Sequence, residues 1–165
     1  MPIQDNDVRK ITSEMDVASA KRVLSIEAKA LKDLAVDLGE IFCRILDIIA
    51  EVKGRVVVTG MGKSGHIGQK IAATFSSTGT PAFFVHPAEA SHGDLGMIAK
   101  GDVVVALSNS GETTELADIV AYAKRFEIPL IGITGGNDST LADAADIALI
   151  LPVSEEACPM GLAPT

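Results

Sequence analysis

The chain has 165 residues, 47% of them apolar and 22% charged, with 15 glycines. That much apolar surface excludes a disordered chain, and the length excludes a mini-protein that needs staples to fold. A net charge of −8 without a local basic patch excludes nucleic acid and an anionic membrane surface as main partners.

Residues 1–16 are polar and weakly patterned, which predicts a flexible N-terminal arm ahead of one domain over 17–165. From Leu24 the apolar positions fall at Leu24, Ala28, Leu31, Ala35, Leu38, Phe42, Ile45, Ile49 and Val52. Steps of four and three predict one helix, or two broken near Gly39, lying on a larger body. The surplus of apolar positions there points to a subunit contact. Cys43 and Cys158 are far apart and form no CxxC pair, as in a protein with two reduced thiols. The N-terminus has no signal-peptide core, and no apolar run approaches the ~20 residues of a membrane span. A soluble, cytoplasmic protein is expected.

Beyond Arg55, charge-free β-branched or aromatic runs recur at 56–59, 82–85, 103–107, 130–134 and 147–151. Continuous rather than alternating, they predict strands buried on both faces of a parallel sheet. Helical spacing between them, at Ile67–Phe75 and Leu116–Phe126, gives an α/β class: an open, doubly wound, five-stranded parallel sheet behind an N-terminal helical segment. Ligands of such sheets bind outside the carboxyl ends of the strands, so the loops there are where chemistry is expected.

The first of these loops, Gly60-Met61-Gly62-Lys63-Ser64-Gly65, matches GxGxxG between a strand and a helix. A dinucleotide site also needs an acid after the second strand, where this chain has His86-Pro87, and a Walker A loop needs a glycine where Val57 stands. No cofactor is therefore implied. What remains is a glycine turn that brings backbone amides, Lys63 and Ser64 to an anion at a helix N-terminus. The loop after the third strand, Ser108-Asn109-Ser110-Gly111-Glu112-Thr113-Thr114-Glu115, gathers four hydroxyls and no Lys or Arg. It suits a phosphate monoester held by neutral donors, although Ser and Thr also cap helices for purely structural reasons. His66, His86 and His92 all fall at these loops. A zinc site from His86, Glu89 and His92 is conceivable, but no HExxH spacing supports one. His92, between small residues, is the candidate among the three, and Glu155-Glu156 after the last strand can face the same edge.

Taken together, these stretches resemble the sugar isomerase (SIS) domain, and more narrowly the arabinose-5-phosphate isomerases of Gram-negative bacteria. The resemblance runs from about Glu14 to Thr165 and is carried by Gly60-Met61-Gly62-Lys63-Ser64-Gly65-His66, His92-Gly93-Asp94-Leu95-Gly96-Met97 and Glu156-Ala157-Cys158-Pro159 with Gly161-Leu162-Ala163-Pro164-Thr165. The Ser108–Glu112 loop is general to the fold. The resemblance implies reversible conversion of D-ribulose 5-phosphate to D-arabinose 5-phosphate through an enediolate, feeding the Kdo sugar of lipopolysaccharide. It implies Lys63, His92, Glu115 and Glu156 as catalytic positions. It implies Ser64, Gly79, Thr80, Ser108, Asn109, Ser110, Gly111 and Thr113 as substrate or phosphate contacts. His86 matches a metal-contacting position at which zinc inhibits rather than serves catalysis, and a homotetramer is implied. In the family the chain continues past Ala-Pro-Thr into a helix and a Ser-His-Pro-Gly-Gly segment, often with a CBS pair. A chain ending at Thr165 is thus expected to be an isomerase domain truncated at its C-terminus. Two other readings stay open: a non-catalytic sugar-phosphate-binding regulatory module, and an isomerase of another sugar phosphate.

Overall fold

The computed structural model describes residues 5–161 and divides into two compact units, one of residues 5–37 with 152–161, the other of residues 38–151. Residues 162–165, which carry most of the Gly-Leu-Ala-Pro-Thr motif, lie outside the described residues.

In the first unit, α1 (Asp5–Asp37) is a single helix of 33 residues, about 50 Å long. It begins inside the stretch expected to be a polar arm. The stripe read from the sequence is exposed along this helix, with Leu24 64% and Leu31 69% accessible. The apolar periodicity there is genuine, but it does not mark a face buried within the chain. The segment 152–161 has no regular structure, and its buried Ala157 accepts a hydrogen bond from Arg22 Nη2 at 2.7 Å.

In the second unit, α2 (Glu40–Glu51) starts just beyond the break predicted near Gly39. Here the stripe does face a core: Ile45 is buried, and Ile48, Ile49 and Val52 pack on the same cluster. The strands are β1 (Val56–Gly60), β2 (Ala82–Val85), β3 (Val103–Leu107), β4 (Leu130–Thr134) and β5 (Ile147–Ile150), all parallel, in the order β2-β1-β3-β4-β5. The helices among them are α3 (Gly62–Ser77), α4 (Pro87–Ser91), α5 (Ala117–Arg125) and α6 (Thr140–Ala144). Alternate strand residues feed two cores. Val56, Val58, Val103, Val105 and Ile131 meet α2 and α3 on one face; Val57, Val104 and Leu130 meet α4, α5 and α6 on the other. Burial on both faces explains the charge-free strand runs.

α3 starts five residues before its periodic stretch, because Gly62 to His66 carry no apolar period. α4 and α6, five residues each, are too short to show one. Their ends are set by caps instead: His86 Nδ1 accepts from Ala88 N at 3.3 Å with Pro87 at the first turn, and Ser139 Oγ accepts from Ala142 N at 3.3 Å. At the amino edge of the sheet, buried Asp102 ties the turn ahead of β3 to the residue that leads into β1. Its carboxylate accepts from Ala99 N at 2.9 Å, from Arg55 N at 2.8 Å and from Arg55 Nη2 at 3.1 Å.

Candidate functional site

The strand order places a switch point between β1 and β3. The helix after β1 packs on one face of the sheet and the helix after β3 on the other, so the two loops part at the carboxyl edge and leave a crevice. Gly60 pairs with Leu107 in register, which sets the loops beginning at Met61 and Ser108 side by side. Close packing of α3 makes this edge compact. A Cβ on Gly65 would come within 2.6 Å of Gly60 O, so only glycine lets the first turn of α3 sit directly on the end of β1.

Lys63 and Ser64 occupy that first turn, Lys63 exposed and Ser64 half-buried. A cation at a helix N-terminus opposes the helix dipole, at a cost of about 0.3–1 kcal/mol. Among the described residues no hydrogen bond or ion pair is formed by the Lys63 ammonium. Its position is therefore poor for stability and good for meeting an incoming anion or carbonyl.

The hydroxyl loop is tightly organised. Ser108 is buried; its Oγ lies 2.7 Å from Thr113 Oγ1 and accepts from Gly111 N at 3.1 Å. Ser108 and Thr113 therefore brace the loop across its mouth. Ser110 and Asn109 are exposed, and Ser110 Oγ accepts from Glu112 N at 3.2 Å. The turn depends on Gly111, which has φ +72° and is pressed against Ser139, so a Cβ there would collide with the Ser139 hydroxyl. Glu115, exposed in the 3-10 turn of residues 114–116, receives the Thr114 hydroxyl at 3.1 Å.

His86 and His92 reach the same edge through β2, the strand beside β1, and His66 lies in α3. His92 is exposed at the end of α4, which packs against α5 and the turn carrying Glu115. In neutral His86 the capping bond from Ala88 leaves Nδ1 as acceptor and the proton on Nε2. A metal at Nε2 would need the other tautomer and would cost α4 its cap. Among the described residues no three His, Cys, Asp or Glu side chains are grouped as a metal ion would require. These residues do not fit a resident metal centre.

Two parts of the sequence reading are not brought to this edge within the second unit. Gly79 and Thr80 lie in the turn between α3 and β2, at the amino edge of the sheet, a strand length of about 13 Å from the carboxyl edge. Glu156 belongs to the first unit, exposed beside the buried Ala157.

The structure adds a wall that the sequence reading missed, the β4–α6 loop of residues 135–139. Gly135 N and Thr134 Oγ1 donate to Asn109 O at 2.9 and 3.3 Å, and Leu141 N donates to Gly111 O at 3.0 Å. Gly135-Gly136 directly after a strand was the available signal. Glu112 is also part of this wall: its carboxylate accepts from Thr140 N at 2.8 Å and Thr140 Oγ1 at 2.7 Å, and those two bonds hold its pKa below the ordinary value. Among the described residues no helix is long and apolar enough to cross a membrane.

Known proteins share this arrangement. The chain is 54% identical over 149 residues to arabinose 5-phosphate isomerase KdsD of Pseudomonas aeruginosa, covering 90% of this chain and 46% of the relative. It is also 54% identical over 147 residues to the enzyme of that name from Escherichia coli K12, covering 89% of this chain and 45% of the relative. It thus spans a little under half the length of these relatives. The solved structure of an Escherichia coli CFT073 protein in complex with arabinose 5-phosphate superposes with a TM-score of 0.83 at 40% identity, covering 99% of this chain and 82% of that one. The SIS domain model matches residues 48–165, which contain the whole sheet and both loops of the switch point, and this chain belongs to the SIS-domain family.

Proposed function

We propose that this chain is the isomerase domain, over residues 17–165, of an enzyme that interconverts D-ribulose 5-phosphate and D-arabinose 5-phosphate. The observation that carries the reading is the switch point between β1 and β3, where a loop with an exposed lysine held against the helix dipole starts beside a hydroxyl loop without positive charge. The relatives named arabinose 5-phosphate isomerase and the neighbour bound to arabinose 5-phosphate support the choice of substrate.

The phosphate anchors on Ser110 and Thr113 of the loop of residues 108–113 and on Ser64, with Ser108 bracing the turn through its bonds to Gly111 N and Thr113 Oγ1. Neutral donors suffice for a dianion when their dipoles are fixed before it arrives. Anchoring spends binding energy on orientation of the sugar carbons. A carboxylate then removes the proton from the hydroxyl-bearing carbon next to the carbonyl, and an enediolate forms. The proton is delivered to the former carbonyl carbon while the hydroxyl proton passes between the two oxygens, so that the carbonyl reforms on the first carbon. We assign the base to Glu156, stabilisation of the enediolate oxygen to Lys63, and hydroxyl contacts or ring opening of the aldose to His92. Glu115 is the second carboxylate available. No cofactor takes part in this scheme, and the site is read as cytoplasmic.

A tetramer completes the reading. Gly79 and Thr80 sit at the amino edge of their own sheet, so a role in substrate contact requires them to approach the crevice of another copy. The exposed Leu24 and Leu31 of α1 supply apolar surface for assembly.

The test is an aldose–ketose assay over a panel of pentose and hexose phosphates, run on this chain and on a version extended as in its longer relatives. Turnover of arabinose 5-phosphate above all others is the expected result. Binding of sugar phosphates without turnover by either version would instead indicate a regulatory module.

A further inference from the structure

A carboxylate in the middle of a phosphate loop is electrostatically misplaced, because it repels the dianion the loop is built to hold. Glu112 stands in that position, between Gly111 and Thr113. The fold turns its side chain outward, away from the loop's own hydroxyls, onto the first residue of α6. There one oxygen accepts the Thr140 amide at 2.8 Å and the other the Thr140 hydroxyl at 2.7 Å. The same stretch grips the loop at two further points, through Leu141 N to Gly111 O at 3.0 Å and Gly135 N to Asn109 O at 2.9 Å. Gly111, at φ +72°, is closed off by Ser139. The hydroxyl loop therefore does not hold its shape by itself. It is braced from the β4–α6 side, and Glu112 is the side chain that reaches across.

We propose that Glu112 is a positioning residue for phosphate recognition: tied to Thr140, it fixes the loop in its anion-accepting shape and keeps its own charge off the bound anion. This rests on the sugar-phosphate reading of the crevice. Its consequence is that removing the side chain, and with it the two bonds to Thr140, weakens anion binding, the reverse of what simple repulsion gives. In simple repulsion, Glu112→Ala binds phosphate more tightly. In a brace, it binds more weakly, and Glu112→Gln recovers affinity because its amide still accepts from the Thr140 amide and donates to the Thr140 hydroxyl.

The experiment uses the chain in five forms: wild type, Glu112→Ala, Glu112→Gln, Thr140→Val and the double variant Glu112→Ala/Thr140→Val. Dissociation constants for arabinose 5-phosphate and for inorganic phosphate are measured by calorimetry, and kcat and KM are measured separately. The expected result is that Glu112→Ala raises both dissociation constants about 10- to 100-fold, as loss of charge-assisted hydrogen bonds predicts, with the loss of activity falling mainly on KM. Glu112→Gln returns to within about threefold of wild type. Thr140→Val weakens binding in the same direction, and the double variant Glu112→Ala/Thr140→Val is no weaker than Glu112→Ala alone, the mark of two groups acting through one link. Unchanged or tighter binding by Glu112→Ala overturns the proposal, as do additive losses in the double variant and a Glu112→Gln variant as weak as Glu112→Ala. If wild type binds neither arabinose 5-phosphate nor inorganic phosphate, the sugar-phosphate reading itself falls. Weaker binding of both ligands by Glu112→Ala, without turnover in any form of this chain or of the version extended as in its longer relatives, removes the isomerase reading and keeps the brace.

Discussion

Lys63 sits where stability disfavours a cation, in the first turn of α3, exposed and at the mouth of the crevice. If its charge meets the enediolate oxygen, Lys63→Ala lowers kcat by about 10²–10³, the usual cost of one oxyanion donor, while phosphate-anchored affinity is largely kept. Separate measurement of turnover and of binding to arabinose 5-phosphate decides this, and a loss confined to KM would make Lys63 a phosphate contact. Asp102 makes the opposite case, a charge working for stability alone. Burial pushes its carboxyl upward, but the amides of Ala99 and Arg55 and the Arg55 guanidinium outweigh that and hold it below the ordinary range. With its folded value below the unfolded one, about 4, its stabilisation is complete above about pH 5 and is lost as pH falls through the folded value. Asp102→Ala should cost about 3 kcal/mol at neutral pH, since it leaves buried donors and a partly buried guanidinium without an acceptor. Urea unfolding between pH 3 and 7 should show a steeper acid decline in wild type than in Asp102→Asn.

At the scale of elements, the seating of α3 on β1 decides where Lys63 and Ser64 stand. Gly65 meets Gly60 O, and Gly68 meets the Phe84 ring and Val58. A methyl group at Gly65 forces the helix start away from the strand end, and overpacking of this kind costs about 1–3 kcal/mol. Gly65→Ala should therefore lower both the urea midpoint and turnover, since the shifted turn carries Lys63 with it. A stable but inactive Gly65→Ala variant would separate the two effects. α1 and α2 show how one apolar period can serve two purposes. The period is continuous in the sequence, yet Ile45 on α2 enters a core while Leu24 and Leu31 on α1 remain at the surface.

For the whole molecule, that exposed row is where the proposed assembly would bury apolar surface. Closed symmetric oligomers are the common outlet for apolar surface of this kind. Sedimentation at micromolar concentration should show a tetramer, and Leu24→Glu with Leu31→Glu should shift it to smaller species. Both side chains are already exposed, so the double variant should keep the monomer's fold, with changes within about 0.5 kcal/mol per site. A tetramer unmoved by this variant places the interface elsewhere.

By itself the sequence determined the fold class. Charge-free β-branched runs such as Val103–Leu107 pointed to parallel strands buried on both faces, and the glycine and hydroxyl loops that follow strand ends mark the edge where a ligand is expected. It also carried the family resemblance, through the Gly60–His66 and His92–Met97 stretches, and it located the helix break near Gly39. Only the tertiary structure decided which apolar face is buried, because periodicity records a face and not what covers it. It alone placed Gly79 and Thr80 at the edge opposite Lys63, since strand direction is invisible in a motif. It alone turned Glu112 from a carboxylate among hydroxyls into a strut on Thr140, 28 residues further along the chain. Local pattern encodes what one segment can form, whereas a contact between two loops exists only once strand order has set them side by side.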